Sequence, residues 1–145
     1  MNEVSLIIEQ GEIIESLQTI NGTYFYIDSL DAYARKVKAL GKAVCIREVS
    51  TNKLLSYVLY YDNSPEIFVT MVWTHPEYRV RGFAKQLLQR LIDYSCKDIR
   101  LVVHENNPAV RLYENLRFER VSELAGIQTM CRRKNGVFPT AAVPN

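Results

Sequence analysis

The stretch Glu66-Ile67-Phe68-Val69-Thr70-Met71-Val72-Trp73-Thr74, followed by His75-Pro76-Glu77-Tyr78 and then Arg79-Val80-Arg81-Gly82-Phe83-Ala84-Lys85-Gln86-Leu87-Leu88, decides the fold. Its first nine residues are rich in β-branched and aromatic side chains and read as a strand. From Phe83 the apolar residues recur at helical spacing and carry a helix to near Ser95. A strand, a short turn with a glycine and a fresh helix N-terminus make a place to hold phosphate. The first N–H groups of a helix lack intrahelical partners, and its dipole favours negative charge there. Arg79, Arg81 and Lys85 add positive charge around the turn, and Gly82 lets backbone come close to a ligand.

Downstream, a second strand over Ile99 to Val103 leads into Asn106-Asn107-Pro108-Ala109-Val110-Arg111-Leu112-Tyr113-Glu114-Asn115-Leu116-Arg117-Phe118. Asn107 is a good N-cap and Pro108 suits the first helical position. Ala109 and Tyr113 are four apart and share a face, with Leu112 and Leu116 forming the neighbouring apolar stripe.

Upstream, Val4 to Ile8 reads as a first strand and Glu12 to Ile20 as a helix broken by Asn21-Gly22. Asp28 or Ser29 caps a helix running to Leu40, where Gly41 is a natural stop. Ala43 to Val49 and Leu54 to Tyr61 form a hairpin across Ser50-Thr51-Asn52-Lys53. Glu119 to Ser122 and Gln128 to Arg132 read as a final hairpin, and Gly136 to Asn145 as a loose tail after one domain spanning residues 1–135.

The 145 residues are enough for one domain with a sizeable core, and 48% hydrophobic content fits a globular chain. A net charge of +2 is too small to argue for nucleic acid or an anionic membrane as partner, and neither is expected. There is no signal-peptide pattern and no apolar run of membrane-spanning length. Cys45, Cys96 and Cys131 are odd in number and widely spaced, and read as buried thiols in a reducing cytoplasm with no metal role.

The two motif segments together resemble the GCN5-related N-acetyltransferase (GNAT) superfamily. Arg79, Gly82 and Ala84 match its acyl-CoA pyrophosphate loop, Gln/Arg-x-x-Gly-x-Gly/Ala. Asn106, Ala109, Tyr113, Glu114, Leu116 and Phe118 match Asn-x-x-Ala-x-x-x-Tyr-Glu-x-Leu-Gly-Phe, and Thr74 to Tyr78 looks like the Val-x-Pro-x-Tyr lead-in. The resemblance covers roughly Leu54 to Phe118. It implies an α/β (α+β) fold, a mixed, mainly antiparallel twisted sheet with helices on both faces. It also implies acetyl transfer from acetyl-CoA to a primary amine of a small molecule, by direct attack in a ternary complex.

On that resemblance, amides at Arg81, Gly82, Ala84 and Lys85 touch the pyrophosphate, with Arg79 and Phe83 in the same loop. A backbone amide of Trp73 or Thr74 polarises the thioester carbonyl. Asn106 holds the helix start or contacts the pantetheine. Tyr113 is the general acid for the departing thiolate. Many relatives use a fourth-strand Glu as base, but here that strand has no central carboxylate and Glu66 sits at its start. His75, His104 and Glu105 are candidates; relayed water, or Tyr60 and Tyr61, would serve equally well, and the base stays unassigned. Arg117 stands where the family has Gly, which would cost Arg roughly 1 kcal/mol in a left-handed turn, so a different turn is expected.

Ser29-Leu30-Asp31-Ala32-Tyr33-Ala34-Arg35-Lys36 is similar to a branch of the superfamily associated with sugar and polysaccharide biosynthesis. That similarity puts an amino sugar among the acceptors and Tyr24 or Tyr26 in the acceptor wall, although Leu30, Tyr33, Ala34 and Val37 also form an ordinary core stripe. The alternative function is a CoA-binding sensor or partner module without turnover. Homodimers are frequent on this fold, but nothing in the sequence specifies an interface.

Overall fold

The structure, a computed structural model, describes residues 2–20, 22, 26–63 and 65–134. Its elements are β1 (Asn2–Ser5), α1 (Gln10–Gln18), α2 (Leu30–Leu40), β2 (Lys42–Glu48), β3 (Leu54–Asp62), β4 (Glu66–Thr74), a 3₁₀ turn (Pro76–Tyr78), α3 (Phe83–Ser95), β5 (Asp98–His104), α4 (Ala109–Asn115), β6 (Glu119–Leu124) and β7 (Ile127–Arg132). The seven strands form one sheet in the order β1-β2-β3-β4-β5-β7-β6. Only β4 and β5 run parallel; every other neighbouring pair is antiparallel.

Helices cover both faces. On one, Ile13 and Leu17 of α1 and Ala34 and Val37 of α2 pack against Cys45, Tyr57, Leu59 and Trp73. On the other, Leu87, Leu88 and Leu91 of α3 and Tyr113 and Leu116 of α4 pack against Val44, Val58, Ile67 and Val69. Each fully buried Leu contributes about 1.5–3 kcal/mol of transfer free energy. That burial, rather than helix propensity, seats the two motif helices on the sheet.

Two irregularities in β4 prepare the site. Leu59 pairs with Met71 and Tyr60 with Val69, so Thr70 is an extra residue, a β-bulge. It switches the alternation of faces. Ile67 and Val69 point to the α3/α4 side, whereas beyond Thr70 it is Val72 that does so, and Met71 and Trp73 join the α1/α2 side. The second irregularity is that the β4–β5 ladder runs only from Glu66↔Asp98 to Val69↔Leu101. β5 continues along β7 as far as His104↔Ile127, so the C-terminal halves of β4 and β5 part. At the closed end, Arg100 Nε donates to Glu66 Oε2 at 2.9 Å.

Several expectations need correcting. The first strand lies at Asn2–Ser5 rather than Val4 to Ile8, because Ser5 Oγ accepts the Ile7 N–H and turns the chain toward α1. Gly41 does end α2, but with φ −102 it is not left-handed. A Cβ there would lie 3.0 Å from Val37 O and 3.1 Å from Tyr60 O, so close approach is what demands glycine. Cys45 and Cys131 are buried, and burial pushes both thiols up. Cys96 is exposed, because it is the left-handed C-cap of α3 (φ 55) and turns the chain out toward β5. Arg117 adopts the left-handed conformation after all (φ 73), and the Phe118 N–H closes back on Tyr113 O at 2.9 Å. Tyr24 and the stretch 136–145 lie outside the described residues.

Candidate active site

Where β4 and β5 part, a cleft of about 260 Å³ opens between Thr70 and Val72 on one side and Val102 and His104 on the other. Beyond Val69 the β5-facing edge of β4 has no strand partner. Such backbone groups need other hydrogen-bonding partners, and an extended ligand carrying amides can supply them. Tyr26 and Tyr33 stand at the α2 side of the cleft, Asn107 and Tyr113 at the α4 side.

The turn after β4 is built around two left-handed residues, Val80 (φ 64) and Gly82 (φ 80). Gly82 is the N-cap of α3 and no side chain caps the helix. The first intrahelical bond is Gln86 N–H to Gly82 O at 3.0 Å, which leaves the N–H groups of Phe83, Ala84 and Lys85 ahead of the ladder. Arg79, Arg81 and Lys85 are exposed, Arg79 Nε reaches Thr74 O at 3.4 Å, and the Arg81 guanidinium lies 4.9 Å from the centre of the Tyr78 ring. Nothing lies within 4 Å of where a Gly82 Cβ would sit, so its positive φ, not crowding, is what favours glycine.

At α4, Asn107 Oδ1 accepts the Ala109 N–H at 2.9 Å and its carbonyl accepts Val110 N–H at 3.0 Å. The capped helix holds Tyr113 with its ring 5.8 Å from that of Phe118 and only 6% of the residue exposed. Burial pushes the Tyr113 phenol well above its ordinary range, so it stays protonated.

The acetyltransferase (GNAT) family model matches residues 14–118. The chain belongs to that family. The GNAT fold recurs in solved structures. The ribosomal-protein-S18-alanine N-acetyltransferase of Escherichia coli is 18% identical with a TM-score of 0.74, over 96% of this chain and 97% of that one. The PaiA N-acetyltransferase of Thermoplasma acidophilum, in complex with coenzyme A, is 12% identical with a TM-score of 0.68, over 92% and 99%. Mutant forms of the spermidine/spermine N-acetyltransferase SpeG of Vibrio cholerae are 21% identical with a TM-score of 0.65, over 88% and 92%. No curated protein matches the chain in sequence.

Within this GNAT domain the candidate residues separate. Tyr113 and His104 share the cleft; Asn107, not Asn106, lines it. Asn106 is exposed on the turn and gives its N–H to His104 Nδ1 at 3.1 Å. The Trp73 side chain faces away: its ring stacks on Tyr57 at 5.2 Å and its Nε1–H points to Thr19 Oγ1 at 3.4 Å. Thr74 Oγ1 is 2.9 Å from Ser56 Oγ. His75 sits in a separate hollow with Glu12 and Thr19. Glu105 is exposed on the turn where its N–H meets Gly126 O at 2.8 Å. Glu66 is tied up at the closed end, and Tyr60 lines another hollow with Arg90 and Tyr94.

No sequence signal marks Thr70, and Tyr33 reads either as part of the branch-like α2 segment or as core stripe, with no contact to β4 foreseen. The two meet, Tyr33 Oη to Thr70 Oγ1 at 3.0 Å, and burial pushes the Tyr33 phenol up to about 12. The one available signal was a polar-tipped aromatic on the apolar stripe of α2. Among the described residues no Asp or Glu lines the cleft. Among the described residues no group of three or more His, Cys, Asp or Glu could hold a metal, and no helix is long and apolar enough to cross a membrane.

Proposed function

We propose that this chain transfers an acetyl group from acetyl-CoA to a primary amine of a small molecule, an amino sugar among the candidates, in a cytoplasmic setting and by direct attack. The observation that carries this reading is the parting of β4 and β5 into a cleft whose wall holds a protonated Tyr113. The uncapped amides of Phe83, Ala84 and Lys85, with Arg79 and Arg81 beside them, suit a pyrophosphate. The unpaired edge of β4 suits the amides of a pantetheine arm. Acetyl-CoA supplies the activated acyl group as a thioester. Tyr113 protonates the departing sulfur, a role worth typically ~10²–10⁴ in rate. Asn107 caps the helix that aims it, while Tyr26 and Tyr33 shape the acceptor end.

Thermal unfolding with and without acetyl-CoA tests the cofactor half. At about 100 times the dissociation constant the ligand should stabilise by ~2.7 kcal/mol. For a chain of this size that is a rise of roughly 5–11 °C. Absence of any shift sinks the reading. Release of free thiol with a panel of primary amines tests the transfer half. A second reading, CoA binding without turnover, is favoured by the lack of a carboxylate among the described residues that line the cleft, and turnover of any amine excludes it.

A further inference from the structure

Thr70 is the one residue of β4 that the strand register leaves out on both sides. Leu59 and Tyr60 of β3 pair with its neighbours Met71 and Val69, and the β5 ladder stops at Val69↔Leu101. A bulge of this kind re-aims the side chain it carries. The group that holds Thr70 comes from α2. Tyr33 Oη lies 3.0 Å from Thr70 Oγ1, and both residues line the cleft.

Two hydroxyls that share one hydrogen bond use one of their two protons in it. A phenol is a stronger acid than an aliphatic alcohol, so Tyr33 donates and Thr70 Oγ1 accepts. Burial pushes the Tyr33 phenol up to about 12, so its proton is present throughout the neutral range. Thr70 keeps its own hydrogen for a second partner. Accepting a bond polarises that O–H into a better donor.

The two ends of β4 set which part of a ligand meets this donor. The uncapped start of α3 follows β4 beyond its Thr74 end, and the cleft closes where the β5 ladder takes over at Val69. A cofactor held by its pyrophosphate at α3 therefore runs its arm along β4 from Thr74 toward Thr70, about 13 Å in a strand. Its acyl end comes to the closed end of the cleft, beside Thr70. The thioester carbonyl there is an oxygen acceptor.

We infer that Thr70 donates its hydroxyl hydrogen to the thioester carbonyl and that Tyr33 is the positioning residue that aims and polarises it, which rests on the acetyltransferase reading above. As the amine nitrogen adds to the carbonyl carbon, the C=O π pair moves onto oxygen, where a donor already in place holds the developing charge. The pair returns as the C–S bond breaks. Sulfur leaves with the bonding electrons and takes a proton from Tyr113; in the net balance the proton lost by nitrogen replaces it. Thr70 keeps its hydrogen throughout.

Calorimetric titration with acetyl-CoA and with CoA, which lacks the thioester carbonyl, separates a contact from a prop. In Thr70→Val acetyl-CoA should bind roughly 3–10-fold more weakly, the worth of one neutral hydrogen bond, while CoA binds as to the wild type. Thr70→Ser puts a hydroxyl back and should restore the lost affinity. Tyr33→Phe should weaken acetyl-CoA alone, and the double variant should lose no more than Thr70→Val, because Tyr33 acts through Thr70. Equal weakening of both ligands would mean that the pair only supports the wall, and would overturn the inference. So would unchanged acetyl-CoA binding in Thr70→Val. A wild type that binds neither ligand is a different failure, and removes the acetyltransferase reading along with this one.

Discussion

Helices α3 and α4 begin in opposite ways. At α4 the Asn107 side chain accepts the Ala109 N–H, so the chain satisfies its own helix start. At α3 the equivalent place is Gly82, which has no side chain to offer and holds a left-handed conformation. A capped start fixes a helix in place, and here the helix it fixes carries Tyr113. An uncapped start leaves donors and half a positive charge facing outward. On the proposed function, one residue at each N-terminus divides the work: α4 would position the acid Tyr113, and α3 would receive the pyrophosphate.

Four substitutions break or sharpen this contrast. Gly82→Val puts a branched side chain at a left-handed position, costing about 1–2 kcal/mol in stability. The larger effect expected is loss of the whole acetyl-CoA-induced rise in Tm while the protein still unfolds cooperatively; an undiminished rise would remove α3 from cofactor binding. Tyr113→Phe should lower turnover by ~10²–10⁴ and leave the acetyl-CoA shift intact. Because burial raises this phenol above its ordinary range, the neutral acid persists as pH rises. The wild-type rate should accordingly show no alkaline fall due to Tyr113 below about pH 10. Equal turnover in the variant would take Tyr113 out of the chemistry.

Asn107→Ala leaves α4 uncapped as α3 is, and should cost about 1 kcal/mol. Calorimetry would register that as a Tm lower by roughly 2–4 °C. The smallest effect belongs to Val80. A β-branched residue at φ 64 is strained, and it is fully exposed, so nothing repays the strain by packing. Val80→Gly relieves about 1–2 kcal/mol and loses about 0.5–1 to unfolded-chain entropy. A net gain of a few tenths to about 1 kcal/mol in urea unfolding is expected; a loss would mean that Val80 makes contacts in solution.

Features set by local chemistry were legible in the sequence. β4 spans Glu66–Thr74 and α3 ends at Ser95 as the hydrophobic pattern predicts, and Ser29 caps α2 by accepting the Ala32 N–H at 3.1 Å. Features set by strand register were not. Nothing marks Thr70 as the residue that slips between Val69 and Met71, since threonine suits a regular strand equally well. That slip decides which side chains reach the cleft. It sends Trp73 to the far face and brings Tyr33 against Thr70. The asparagine that reaches the cleft is likewise set by the turn after β5, where Asn106 gives its backbone to His104 and Asn107 its side chain to Ala109.

Cys96 closes α3 at the end opposite Gly82, about 20 Å away along the helix, and is the one cysteine the fold leaves accessible. Trp73, the single tryptophan, lies in β4. The unaltered chain therefore carries one accessible attachment point for a thiol-directed dye and one indole that can be excited apart from the tyrosines. Energy transfer between them can time any relative movement of α3 and β4 during turnover, with no engineered residue in the protein.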